Sequence, residues 1–319
     1  MRQAVRDAAG GRNRYRAARN CSRLDVCVRL GDDTADLAGG RQVAIEGRTG
    51  TPMFQRSELL LGPTTVKALW GTRVILFGVG GVGSWCAEAL VRSGVGHLAI
   101  VDSDSVCITN VNRQLQATPA TVGRIKVEVL ARRLREISPD AEIVVFPIAY
   151  DESTSDSFGL ERYDYVLDAI DSLSHKLGLI RKALSLGCRL YSSMGASARL
   201  DPTKVRVGSL WKTRDCPLAM RVRKRLRKHG ITTALTVVYS EELPMESLET
   251  SDCGTPACHC PRRAIAESGE EVEGHEWCSS KAYINGSIMP VVATFGMSLA
   301  SLVIRDVLER SGGREGKGP

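Results

Sequence analysis

Residues 73–83 read RVILFGVGGVG, a short apolar run followed at once by four glycines in six positions. An apolar run of that length, stopped by glycine, is the signature of a buried strand. Residues 82–92 (VGSWCAEALVR) then place Trp85, Ala89 and Leu90 at helical spacing. Strand, glycine turn and helix in succession give Gly78, Gly80, Gly81 and Gly83 a specific use. Glycines let the chain turn tightly and bring backbone N–H groups against phosphate oxygens, and the helix N-terminus adds partial positive charge. A second apolar run, residues 97–101 (HLAIV), ends at Asp102, nineteen residues after Gly83. A carboxylate there is placed to accept ribose hydroxyls. The stretch predicts a nucleotide site.

Working outward, the same alternation continues. Residues 125–137 carry Ile125, Val129, Leu130, Leu134 and Ile137 at the spacing of an amphipathic helix. Residues 143–146 and 165–167 read as strands, 173–186 as a helix and 189–191 as a strand. Strands alternating with helices predict an α/β fold: a doubly wound, Rossmann-like, mostly parallel sheet with helices on both faces. After residue 200 the order changes to a strand near 205–208, a basic helix and a strand at 235–239, so a C-terminal antiparallel extension is expected. Residues 288–304 form an uncharged run of 17 interrupted by Pro290 and Gly296. That is the lower limit for crossing a bilayer, and a buried core helix is the expected reading rather than membrane attachment.

The chain has 319 residues, 43% hydrophobic and 25% charged, which excludes disorder throughout, collagen-like repetition and a small disulfide scaffold. Ten cysteines without a preceding secretory signal point to free thiols in a cytoplasmic setting. Residues 1–52 read as a disordered or non-native N-terminal extension, 53–310 as the functional domain and 311–319 as a disordered tail. The net charge is +7, and residues 212–228 alone hold eight basic residues and one acid, so the whole excess sits in that segment. Lys212, Arg221, Arg223, Lys224, Arg225, Arg227 and Lys228 have almost no acid to pair with. The basic helix carries an apolar stripe of Leu218, Val222 and Leu226, with its cations ringing the rest. Repulsion within such a run is relieved by an anion, and a phosphate backbone is the natural one.

The residues after Asp102 do not suit hydride transfer. Asp104, Asn110, Arg113 and Gln114 follow within a few positions, and Lys126 opens the next helix. Fixed cations beside a phosphate loop suit phosphoryl or nucleotidyl chemistry, because charge builds on phosphate oxygens in the transition state. Asp168 and Asp171, after a later strand, bring carboxylates to the same sheet edge, where one could hold Mg²⁺ together with phosphate oxygens.

These motifs are Gly78-x-Gly80-Gly81-x-Gly83, then Asp102-x-Asp104-x-Val106 running on to Asn110 and Arg113-Gln114, then Gly123-x-x-Lys126, then Asp168-x-x-Asp171. Together they resemble the adenylating enzymes that include ubiquitin-activating enzymes and their bacterial relatives. The resemblance implies ATP and Mg²⁺ as cofactors. It assigns the ribose to Asp102, the phosphates to Asn110, Arg113 and Lys126, and the metal to Asp171. It also implies a homodimer in which Arg56, within FQRSELLLG (54–62), reaches the other subunit's ATP. Within that family the chain resembles the tRNA threonylcarbamoyladenosine dehydratases over roughly residues 53–310. Adenylation of a threonyl carboxylate in tRNA, with residues 200–285 as tRNA-binding and crossover region, is the activity so implied. The partner expected of the basic helix is tRNA, not DNA and not a membrane, and a cysteine desulfurase or sulfur-acceptor system stays open as a further partner. Adenylation of a ubiquitin-like sulfur-carrier protein is the alternative, although it leaves the basic helix unexplained.

Two departures stand out. Some relatives carry a cysteine where Val237 precedes Val238-Tyr239-Ser240, so thioester chemistry at that place is not expected here. Cys253, Cys258, Cys260 and Cys278, with His259 and His275, lie within 26 residues and could form a tetrahedral Zn²⁺ site. Their C-x4-C-x-C spacing is not a standard one, and a cysteine-containing loop near the substrate mouth is the other reading.

Overall fold

Burial on both faces explains why the strands read as unbroken apolar runs. In the first, β1 (Arg73–Phe77), residues Val74 to Phe77 have no exposure at all. The computed structural model describes residues 52–251 and 285–312. Six further strands follow: β2 (His97–Val101), β3 (Glu142–Phe146), β4 (Tyr165–Asp168), β5 (Arg189–Ser193), β6 (Val205–Ser209) and β7 (Thr236–Ser240). The helices are α1 (Gln55–Leu61), α2 (Pro63–Gly71), α3 (Gly83–Arg92), α4 (Lys126–Ile137), α5 (Leu173–Ser185), α6 (Pro217–Lys228) and α7 (Met289–Arg310).

The strands lie in the order β3-β2-β1-β4-β5-β7-β6, all parallel except the β6–β7 pair. The fold is the expected doubly wound α/β sheet with one antiparallel strand at its C-terminal side. Chain order reverses beside β1, the switch point at which open α/β sheets bind ligands. Register then decides what meets there. Phe77 pairs with Val101 on one side and Asp168 on the other, so Gly78, Asp102 and Ala169 leave the sheet side by side.

Alternate side chains of β1 feed two cores. Val74 and Leu76 pack with α3, α4 and α7 on one face, while Ile75 and Phe77 pack with α5 and α6 on the other. The uncharged run near the C-terminus is the core of α7. Val291, Phe295, Leu299 and Val303, four residues apart, are fully buried, although the helix is long and apolar enough to cross a bilayer. It crosses α3 so closely that a Cβ on Gly296 would lie 2.4 Å from the Val82 carbonyl oxygen and 2.9 Å from the Cys86 nitrogen. Both are backbone atoms and cannot swing aside. Gly296→Ala is therefore expected to cost about 3 kcal/mol or more through overpacking, read as a lower urea midpoint.

Candidate nucleotide site

The glycine loop is built by contacts that admit no side chain. Gly78 has φ +84, and a Cβ there would sit 2.8 Å from the Ala169 carbonyl oxygen. At Gly83 a Cβ would sit 1.8 Å from the Gly78 carbonyl oxygen, and at Gly81 it would press on Val292 of α7 at 3.2 Å. Gly80 faces more open space, and among the described residues the one near atom is the Gln114 amide nitrogen, at 3.8 Å. Three glycines thus shape the turn, and the fourth keeps its outer side clear. The loop runs directly into α3, whose first N–H groups and dipole favour an anion.

Asp102, the first residue past β2, holds this loop. Its Oδ2 accepts the Val79 N–H at 2.8 Å and its Oδ1 accepts the Asp104 N–H at 2.8 Å. Each oxygen keeps a lone pair for a further donor. Burial pushes the Asp102 carboxyl above its ordinary value, against the pull of the Lys126 charge. Lys126 arrives through a short antiparallel contact. Ser105 bridges Ile125, Val106 N–H donates to the Arg124 carbonyl at 2.8 Å, and Lys126 N–H donates to the Asp104 carbonyl at 2.9 Å. Its ammonium then meets Asp104 Oδ2 at 2.8 Å with only 7% of the side chain exposed. Burial disfavours that charge, but Asp102, Asp104 and Asp171 outweigh it and hold Lys126 well above the ordinary lysine range. A permanent cation therefore stands at the sheet edge.

Asn110 and Arg113 lie on the loop after Asp104. Asn110 is buried and its Oδ1 accepts the Cys107 N–H at 3.0 Å, which folds the 3₁₀ turn Ile108–Asn110. Arg113 is half-buried. Its Nη1 donates to the Thr109 carbonyl at 2.6 Å and to Asn112 Oδ1 at 3.1 Å, while its own carbonyl accepts the Trp85 indole N–H at 3.0 Å. Gln114 is buried beside Gly80, and its Oε1 has no partner among the described residues, which leaves an acceptor at the loop. Gln116, which no sequence motif marks, donates its Nε2 to the Val79 carbonyl at 2.8 Å and pins the loop from below.

The two carboxylates after β4 separate. Asp168 is fully buried and paired with Lys176 at 2.6 Å. Asp171 is exposed, and its charge reaches Lys126. Of the two, Asp171 is the one open to solvent.

Arg56 does not join this group. It is exposed on α1, preceded by Phe54, which packs against Gly94 just past the end of α3 remote from the glycine loop. Beside it Leu59 and Leu60 are 78% and 82% exposed. The four cysteines at 253–278 lie outside the described residues, as do residues 1–51 and 313–319. Among the described residues no cluster of three or more His, Cys, Asp or Glu is arranged to hold a metal.

Helix α6 packs Val222 and Leu226 of the expected stripe into the core together with Ala219, and Leu218, half-buried, packs on the same core at its rim. The cations do not ring the helix evenly. Arg221, Lys224, Arg225 and Lys228 fall at i, i+3, i+4 and i+7, one exposed stripe opposite the buried side. None of them forms an ion pair among the described residues. Arg223 and Arg227 turn aside to the preceding turn, Leu210–Lys212. Arg223 Nη1 donates to the Thr213 carbonyl at 2.8 Å, to the Leu210 carbonyl at 3.2 Å and to the Thr213 hydroxyl. Arg227 lies over the Trp211 ring at 5.5 Å. Lys212 is exposed on the turn itself. The helix starts beside the nucleotide edge of the sheet, because Leu218 and Cys216 pack on Gly195, two residues past β5.

A glycine loop opening α3, a carboxylate just past β2 and cations at the switch point define a doubly wound mononucleotide-binding protein. The model of the ThiF family matches residues 54–315, and the chain belongs to that family. Over 192 residues it is 43% identical to the tRNA threonylcarbamoyladenosine dehydratase of Bacillus subtilis (strain 168), covering 60% of this chain and 76% of that one. It is 33% identical over 265 residues to the protein of the same name from Escherichia coli (strain K12), covering 81% and 94%. The solved structure of the E. coli tRNA N6-threonylcarbamoyladenosine dehydratase in complex with ATP matches with a TM-score of 0.68 at 29% identity, covering 82% of this chain and 96% of that one.

Proposed function

We propose that this chain is an ATP-dependent tRNA threonylcarbamoyladenosine dehydratase. The observation that carries the reading is the gathering of four spaced motifs onto one sheet edge, in a chain similar over most of its length to dehydratases of that name. In this reading the threonyl carboxylate attacks the α-phosphate of ATP, and the bond to pyrophosphate breaks. The carbamoyl group of the same nucleoside then closes onto the acyl-adenylate and expels AMP, so that one water is lost overall. Val237 and Val238, fully buried in β7, offer no thiol, and none is needed when the nucleophile belongs to the substrate.

The glycine loop and α3 take the phosphates, Asp102 the ribose, and Arg113 and Lys126 the charge that develops on the α-phosphate. Asn110 and Gln114 shape the pocket between them. Mg²⁺ suits the donor set, since it is commonly held by one or two carboxylates together with substrate phosphates, and Asp171 is the carboxylate exposed beside Lys126. Bound there, it would neutralise phosphate charge. Arg56, remote from the site of its own chain, is supplied across a homodimer, with Leu59 and Leu60 as apolar contacts beside it. Residues 53–310 form the catalytic domain, and the stripe on α6, within the 200–285 region, grips tRNA in the cytoplasm.

The test is to incubate the protein with ATP, Mg²⁺ and tRNA from cells lacking the activity, then digest to nucleosides. Loss of one water from the threonylcarbamoyl nucleoside is the expected result in mass spectrometry. Turnover of ATP only when a small carrier protein is added would overturn it.

A further inference from the structure

Asp168 and Lys176 form an ion pair with no exposure on either side chain, Nζ to Oδ2 at 2.6 Å. Such pairs are poor stabilisers, because desolvation rivals the attraction, and apolar replacements of similar volume are often neutral or favourable. Its surroundings point to another role. Oδ2 also accepts the Ser192 hydroxyl at 2.5 Å, and Lys176 donates to the Ser193 carbonyl at 2.9 Å, so the ends of β4 and β5 are tied together. With Oδ2 fixed in this way, Oδ1 is aimed at the chain that follows, and it accepts the Ile170 N–H at 3.0 Å. That bond curls residues 169–171 back over the sheet edge. The same turn supports the glycine loop, since the Ala169 carbonyl is the atom that forbids a side chain at Gly78.

We propose that the buried Asp168–Lys176 pair is a positioning device: it locks the 169–171 turn so that the Asp171 carboxylate is held at the metal–nucleotide site. The inference rests on the ATP and Mg²⁺ reading above. Neither member of the pair touches the nucleotide. Both act through Asp171, as the outer partners of a metal ligand do.

Two double variants separate this role from plain structure. Asp168→Leu with Lys176→Met removes the charges and the acceptor for Ile170. Asp168→Asn with Lys176→Met removes the charges equally but keeps a carbonyl oxygen in the Oδ1 place. ATP affinity is measured by calorimetry with the chelator EDTA and with excess Mg²⁺. In the Leu/Met variant the gain in ATP affinity that Mg²⁺ confers is expected to fall by about 10- to 100-fold, a larger effect than any loss of metal-free affinity through the glycine loop that the same turn supports. The Asn/Met variant, which keeps the acceptor for Ile170 but not the lysine that seats it, is expected to lose less of the gain. A Leu/Met variant with the native gain, an equal loss in both variants, or a native protein whose ATP affinity ignores Mg²⁺ overturns the inference. If the Leu/Met variant does not fold, Asp168→Ala with Lys176→Met, which also lacks the acceptor for Ile170, takes its place: a reduced gain supports the role and a native gain overturns it. A native protein that binds ATP with Mg²⁺ yet leaves the tRNA nucleoside unchanged would remove the dehydratase reading and leave this inference standing.

Discussion

Lys126→Met is expected to lower ATP-dependent dehydration by about 10³-fold, the scale on which a transition-state charge stabiliser acts. The size follows from where the ammonium sits. It is buried against Asp104 and within reach of the charges of Asp102 and Asp171, at an edge that must admit a polyanion. Without the cation, Asp102, Asp104 and Asp171 all repel the incoming phosphates, and the repulsion from the desolvated Asp102 is stronger than in water. Both ATP affinity and the rate of adenylation should fall, and ATP–pyrophosphate exchange reads them separately through KM and kcat. A second variant isolates the catalytic share. Adding Asp104→Asn to Lys126→Met removes the acid left unpaired, so binding should recover in part while the rate stays low. Recovery of the full exchange rate in that double variant would show that Lys126 only neutralises its neighbour.

The fold and the nucleotide edge were legible in the sequence for one reason: parallel strands buried on both faces leave apolar runs that stop where the chain reaches the site. β1 and β2 were readable to the residue, and the glycines and Asp102 followed from them. The supports were not readable. Lys176 lies in an ordinary helical pattern, and its partners Asp168 and Ser193 come from two different strands. Gln116 reaches back 37 residues to the Val79 carbonyl. Neither contact leaves a local spacing to find. On α6 the apolar stripe of Leu218, Val222 and Leu226 does face the core, but it extends to Ala219, whose small side chain leaves no helical spacing to find. Ala219 is fully buried and Leu218 sits at the rim, against Gly195. The division of the cations was equally hidden, because the carbonyls that take Arg223 belong to Leu210 and Thr213, in the turn before the helix.

That division sets the other large effect. Arg221→Ala, Arg225→Ala and Lys228→Ala together are expected to weaken tRNA binding by about 100-fold at low salt and to reduce the slope of log affinity against log salt by about 2, the counterion release of three lost phosphate contacts. ATP affinity should not change, since none of the three touches the glycine loop or the Lys126 cluster. Arg223→Ala is the contrasting variant. It belongs to the same charge run, yet its guanidinium is committed to Leu210 and Thr213, so its loss should lower thermal stability and leave the salt slope near native. Filter binding or fluorescence titration across a salt series measures both. If Arg223→Ala flattened the slope as much as an exposed-stripe residue did, the helix would be acting as a diffuse charge. If the triple variant weakened ATP and tRNA alike, the stripe would be supporting the fold rather than reading RNA. The stripe carries four of the eight cations of residues 212–228, and it lies on a helix anchored beside β5. RNA held there is therefore brought toward the same sheet edge at which the carboxylate is to be activated.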